Sequence, residues 1–455
     1  MTRFNALPQK RILIAVAAVA TALFLSTLVP HAATIRSGSR VVDASYPATV
    51  CPSGVSGAQS VAYLPNAKIA VRSVKSGSTR LRPSRTFRYS LAAPLFVDGS
   101  AQSIMTANTL NGWLATTICS AGNVDSWFVG GSAGISSSGY IDLVNSGLSE
   151  STVDLFPFSA KGAAAMVSVV IPANSEKTFL LDSLAPGEEN IAVHAVTRAG
   201  RVTAFYLDVR KKGLRSLGAD YVSPAMSTSK HIVLPGAINS VSKGAQLDQT
   251  VRLLAPGAID ASVSATIYSI DGAFSPVGLD NLRLPHGKVV DITLPQLTVS
   301  TPFAIAIDGD QPLVAGLLSK TRNGASDFAW SGAAQELPKD EPVSINMGGH
   351  SPLISFYSDG RVDVRISYNL PSGKSGSAEV VGDRRASWRS PGAVNRIEVT
   401  SLKSKSYGAI LFSGAANSGL SYLPLQTGAT LQNSVVPVAD AGVISRGAQS
   451  STAGK

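Results

Sequence analysis

VDLFPFSAKG, residues 153–162, reads as a strand whose alternate residues are apolar, closed by a turn glycine. It has a counterpart in VSATIYSIDG, residues 263–272, and a weaker one in VDVRISYNLPSG, residues 362–373. Each copy follows a short apolar run: Tyr140 to Val144, Val251 to Leu254 and Leu353 to Tyr357. The copies start 110 and then 99 residues apart, which is the length of a β-sandwich module and too long for a propeller blade or a solenoid turn. The repeat therefore predicts an architecture and leaves the chemistry open.

Working outward, short alternating runs dominate the chain. Ile191 to Thr197, Val202 to Val209, Ala304 to Ile307, Leu313 to Leu318, Ile397 to Thr400 and Tyr407 to Phe412 are separated by Ala-Gly, Asp-Gly-Asp, Ser-Gly and Pro-Gly turns. No segment beyond the N-terminus sustains a helical period with caps at both ends. The fold class expected is all-β: tandem Ig-like β-sandwich modules behind a single N-terminal transmembrane helix. The expected order is a cytoplasmic N-terminus (1–11), a transmembrane signal anchor (12–33) and a linker (34–50). A disulfide-containing β module (51–135), three sandwich repeats (136–228, 229–337, 338–425) and a disordered tail (426–455) follow. The tail is assigned on its Ser, Ala, Gly and Thr content and its loss of hydrophobic density.

The anchor rests on Lys10 and Arg11 preceding an uncharged run from Ile12 to Val29, ended by Pro30. Its eighteen residues span about 27 Å as a helix, close to a hydrocarbon core of roughly 30 Å. Basic residues on the N-terminal side place everything after Pro30 outside the cell. A cleaved signal peptide is the competing reading, but Pro30-His31-Ala32-Ala33 lacks the small-x-small pattern that cleavage needs. Cys51 and Cys119, the only cysteines, are expected to pair in an oxidising compartment. Closing that loop contributes about 4 kcal/mol on the chain-entropy account.

Charge is distributed unevenly. The net charge is +10, four of the basic groups lying in the first 36 residues, and no acidic residue occurs between Asp43 and Asp98. Lys68, Arg72, Lys75, Arg80, Arg82, Arg85 and Arg88 all fall in that acid-free stretch. On strands, several would share one face near the membrane, a surface for anionic lipid head groups or phosphate-bearing wall polymer. The plain alternative is a solvated strand face balanced by carboxylates from elsewhere in the fold. Nucleic acid is not expected as a partner, because the segment is exported and lacks interleaved stacking aromatics.

Catalytic motifs are present only as letters. Gly130-Gly131-Ser132-Ala133-Gly134 matches the G-x-S-x-G elbow, yet no helix follows it as that elbow requires. Ser240-Val241-Ser242-Lys243 matches S-x-x-K amid Pro235, Gly236 and Gly244, which oppose a helix. The five histidines are far apart and form no metal-ligating pair, two cysteines are too few for a structural zinc, and no calcium loop appears. No metal or cofactor is therefore expected. Leu423 to Gly428 looks like a sortase signal with one residue too many and no hydrophobic tail.

The stretch from Ile118 to Asn145, ICSAGNVDSWFVGGSAGISSSGYIDLVN, followed by the Val153 strand and Ala185-Pro186-Gly187, resembles an actinobacterial domain-of-unknown-function family of exported, membrane-anchored β-rich proteins. Cys119, Trp127, Phe128, Val129, Gly130, Gly131 and Asn145 occupy that family's positions, and the resemblance is strongest from Cys119 to about Pro224. It implies compartment and fold, and carries over no catalytic residue. The repeats also resemble the Ig-like modules of bacterial surface proteins. Trp127 and Phe128 read as core beneath a loop, with an exposed platform for sugars as the alternative.

Two functional expectations follow. The first is a non-enzymatic cell-envelope protein held in the cell membrane by one span, a rod of extracellular β-sandwiches. It would bind wall glycan or anionic polymer, or scaffold a membrane glycosyltransferase or similar assembly complex. The alternative is an exported serine hydrolase acting on envelope polymers, built from Ser132 with His194 or His231.

Overall fold

The computed structural model describes residues 17–21, 39–42, 48–426 apart from 76, 99–101, 241–245, 296–301, 323–326 and 414–418, and 434–437. The anchor expected at 12–33, most of the linker at 34–50, the tail at 426–455, and the Ser242 and Lys243 of the S-x-x-K match lie wholly or largely outside the described residues. Among the described residues no helix is long and apolar enough to cross a membrane. Strands Ser39–Val42 and Ser434–Pro437 pair antiparallel and belong to one compact unit; residues 46–430 form the other.

That larger unit is almost entirely β; among the described residues its one helical segment is the single turn Leu181–Leu184. One hairpin geometry recurs at two of the positions where the sequence repeat was expected. Strand Ser151–Ser159 turns through Ala160-Lys161 so that Ser159 pairs with Gly162; strand Ala261–Ser269 turns through Ile270-Asp271 so that Ser269 pairs with Gly272. In both, the serine hydroxyl accepts from the second turn residue's amide and donates to the glycine carbonyl. Gly162 and Gly272 sit at φ 124° and 129°, a region that favours glycine. The third copy, Leu353–Asn369 with Ser375–Arg389, closes through a longer loop carrying Gly373 at φ 83°.

The hairpins are built into two-layered sandwiches. In the second sandwich, Asp125–Val129, Ile191–Ala199, Ser151–Ser159 and Val167–Ile171 face Ser175–Leu180, Tyr140–Asn145, Val202–Lys212 and Arg215–Tyr221. Phe128, Val153, Leu155 and Val193 from one layer meet Ile141, Leu143 and Tyr206 from the other. Asp125–Val129, expected before the first repeat, thus hydrogen-bonds into this sandwich through Ile191–Ala199.

In the third sandwich the runs expected as two strands around Asp-Gly-Asp are one, Phe303–Thr321. Its first half pairs with Ala261–Ser269 and its second half with Leu247–Leu254, so it passes from one layer to the other. Leu353–Asn369 does the same in the fourth sandwich, pairing first with Ser406–Phe412 and then with Val394–Ser401.

The first sandwich packs Leu95, Val97, Ile69 and Val71 against Ala62, Leu64 and Ile104. The disulfide between Cys51 and Cys119 lies in this core and bridges 68 residues. The layer containing Ser103–Leu110 continues, through parallel pairing of Ile345 with Ser103 and Asn346 with Ile104, into the fourth sandwich as a ten-stranded sheet.

The sandwiches cluster rather than forming the expected rod, because buried polar groups tie all four together. Asp220 of the second, fully buried, accepts from the Trp330 amide of the third at 2.8 Å and from Ser421 Oγ of the fourth at 2.7 Å. Ser421 Oγ in turn accepts from the Thr116 amide of the first at 3.1 Å. Asp327 accepts from the Leu420 amide, and the Trp330 indole donates to Asp208. Burial pushes the carboxyls of Asp220 and Asp327 well above their ordinary range.

Arg252 is a second tie. It is 1% exposed and uses all five donors: Nε and Nη2 on the Asp291 carboxylate, Nη1 on the carbonyls of Gly131 and Ile191, and Nη2 also on Asn190 Oδ1.

Candidate functional site

The seven basic residues do not form one surface. Arg72 is 8% exposed, lies 4.4 Å over the Phe96 ring, and donates to Asn174 Oδ1 and the Ser146 carbonyl of the second sandwich. It therefore holds two sandwiches together, and burial lowers its pKa. Arg88 is anchored at one end, donating to the Gly348 carbonyl at 3.1 Å above the Tyr63 ring.

Lys68, Lys75, Arg80, Arg82 and Arg85 are exposed. None of them has a carboxylate within ion-pair distance among the described residues, whose Lys and Arg pairs use other side chains. Within the acid-free stretch, residues 80–90 leave one sheet of the first sandwich at its edge strand Arg82–Ser84 and enter the other at its edge strand Arg88–Ser90. Cations on such edges also block edge-to-edge pairing.

A cleft of 640 Å³ lies between the second and third sandwiches. Its floor is the outer face of the sheet whose inner face carries Phe128, Val153 and Leu155. Register sets Trp127 beside His194 and His194 beside Phe156, one row across three strands. The Trp127 and His194 rings stack at 3.8 Å, and His194 Nε2 hydrogen-bonds Asp125 Oδ1 at 2.9 Å. Burial lowers the His194 pKa and the Asp125 charge opposes that. Phe158 extends the row, Arg198 paired with Asp154 borders it, and Ile259 of the third sandwich, 59% exposed, stands opposite.

Phe128 is core, as expected. Trp127 is 7% exposed but points to the other face. Phe156 and Phe158 were missed, although the signal existed: they share the parity of Asp154, opposite to Val153 and Leu155, so two aromatics lie on the outward face of an amphipathic strand.

Among the described residues Ser132 has no hydrogen bond to either candidate histidine. Its buried hydroxyl accepts from the Gly134 amide two residues on, while His194 and His231 hydrogen-bond Asp125 and Asp308. The glycines of the motif have packing reasons. Gly131 is at φ 82°, and a Cβ there would lie 2.5 Å from Tyr206 Oη; a Cβ on Gly130 would meet Val222 and Trp330. The Gly130 carbonyl accepts from Tyr206 Oη, and that of Gly131 from Arg252. The Trp-Phe-Val-Gly-Gly stretch thus builds a floor on one side and an inter-sandwich joint on the other.

This chain belongs to a family of unknown function, DUF5719. The family's profile matches residues 94–382, which include the aromatic row, Arg252 and the joint around Asp220 and Trp330. No curated protein matches the chain. A crystal structure of a tetra-tandem repeat from the extending region of a large adhesion protein is similar over 85% of this chain and all of that one, at 12% identity and a TM-score of 0.12, too low to carry an argument. Among the described residues no group of three or more His, Cys, Asp or Glu is placed to hold a metal ion.

Proposed function

We propose that this protein is a non-enzymatic cell-envelope protein, held in the cell membrane by its N-terminal apolar segment, whose extracellular β-sandwich body binds an anionic wall polymer. Its place among exported, Ig-like envelope proteins is part of this reading. The observation that carries it is the set of exposed cations at Lys68, Lys75, Arg80, Arg82 and Arg85, without carboxylate partners among the described residues. Cations at residues 68–85, on the edge strand Arg82–Ser84 and the segments around it, give a polyanion's phosphates or carboxylates charges to meet, and the attraction is screened by salt. A disulfide-stapled core beneath that edge suits an oxidising compartment.

The test is retention of residues 36–455 on purified envelope and on its separated glycan and lipid fractions, at low and high salt. Salt-sensitive retention on the glycan fraction, lost when Lys75, Arg80, Arg82 and Arg85 are replaced by alanine, is the expected result. Retention only on lipid, or on no fraction, refutes polymer binding.

A further inference from the structure

The third and fourth sandwiches enclose a cleft of 690 Å³. One wall is the repeated hairpin at Tyr268 to Ala273; the other is the 379–388 part of the strand Ser375–Arg389. Two features of that second wall are unfavourable for folding, and both belong to residues that line the cleft.

Arg385 is 9% exposed, and its Nε has no hydrogen-bond partner. Burial lowers its pKa, opposed in part by the Asp271 charge on the facing hairpin. A buried guanidinium N–H without an acceptor is a destabilising group. Arg384, next to it, adopts φ 53°, a left-handed conformation that a long side chain rarely takes. The cause is a bulge. Tyr357 pairs with Arg385 and Arg361 with Asp383, so three residues on one strand face Arg384 alone on the other. The consequence is that Arg384 swings over the Tyr268 ring of the opposite wall, 5.6 Å from its centroid. Strain of this kind persists where surrounding structure enforces it, and it clusters at binding sites.

The geometry points to a binding site for an acidic sugar, its carboxylate held by Arg385 and Arg384 and its ring lying against Trp388 and Tyr268. An arginine presents its donors in a planar fork that matches a carboxylate, and Arg385 Nε is the donor that such a group would satisfy. The aromatic side chains give the sugar's C–H face an apolar surface. This deepens the polymer-binding reading by naming the charged sugar, and rests on that reading only for the class of ligand. The residues involved are separate from the cations at 68–85.

Isothermal titration of the full-length protein with a galacturonate hexamer, and with maltohexaose as its neutral counterpart, tests the assignment. The acidic hexamer is expected to bind and the neutral one not to. Arg385→Met is expected to weaken binding at least tenfold without lowering the unfolding midpoint, because it replaces a buried guanidinium whose Nε lacks an acceptor by an apolar chain of similar length. Arg384→Gly is expected to weaken binding while raising the midpoint, since it relieves the left-handed strain. Replacing Lys75, Arg80, Arg82 and Arg85 leaves hexamer binding unchanged, which separates this site from those cations. Absence of binding by the unaltered protein, equal binding of maltohexaose, or binding within twofold in both arginine variants overturns the proposal. A large fall in the Arg385→Met midpoint does so as well, by making Arg385 a structural residue.

Discussion

Replacing Arg252 by methionine removes a buried charge all five of whose donors are used. The side chain is 2% exposed and its Asp291 partner 18%. Methionine fills much of the same volume, so the cost comes from the groups left behind. Asp291 loses a bidentate cation, with contacts of 2.7 and 2.8 Å, while Asn190 and the carbonyls of Gly131 and Ile191 lose their donor. Breaking a buried pair from one side typically costs about 3–5 kcal/mol, and about 4 kcal/mol is expected here. Urea unfolding followed by tryptophan fluorescence reads this directly, because Trp330 lies 5.0 Å from the guanidinium. Adding Asp291→Asn removes the orphaned charge and should restore at least about 1 kcal/mol, whereas independent sites would add their losses. A loss below about 1 kcal/mol for Arg252→Met, or simple additivity in the double variant, would refute the view that this arginine locks the second sandwich to the third.

Further outcomes are expected elsewhere. Asp142 is buried, and its carboxyl is pushed up to about 7, chiefly by that burial and also by the Glu176 charge, against a hydrogen bond from Thr178. The folded state holds a proton that the unfolded chain releases near pH 4, so this stabilising contribution is full below about pH 4 and is lost as pH rises towards 7. Asp142→Asn should flatten that part of the stability profile, by a few kcal/mol on the order-of-magnitude scale. Replacing both Cys51 and Cys119 by serine should cost about 4 kcal/mol, measured by urea unfolding against the oxidised protein. Gly131→Ala should cost about 2 kcal/mol or more through its left-handed backbone and the Tyr206 contact, read as a lowered thermal midpoint.

Local patterning carried much of the architecture. The alternation in residues 153–159 and 263–269 specifies which side chains face inward, and the glycines at 162 and 272 specify where each strand reverses. The bend at Asp308 to Asp310 was legible as punctuation but not as continuity, because an Asp-Gly-Asp sequence reads alike whether the chain turns back or passes between layers. Of the seven basic residues, five are exposed and unpaired among the described residues, Arg88 is partly anchored, and Arg72 is withdrawn. Nothing near Arg72 in sequence marks it, since its partners Ser146 and Asn174 lie 74 and 102 residues away. Nor does the sequence distinguish Arg384 and Arg385 from solvated charges, since the bulge and the facing hairpin set their environment.

By itself the sequence determined the β class, most strand positions, the turn chemistry and the cysteine pair, all of which follow from preferences acting over a few residues. Only the tertiary structure decided which faces meet. Ile345 beside Ser103, Arg252 beneath Gly131, and the cleft between Tyr268 and Arg385 depend on the summed packing and hydrogen bonding of segments far apart along the chain. Short-range alternation is the same for a strand whichever neighbour it finds. The neighbour is selected by burying apolar faces while every buried donor and acceptor seeks a partner, and that is a property of the whole fold.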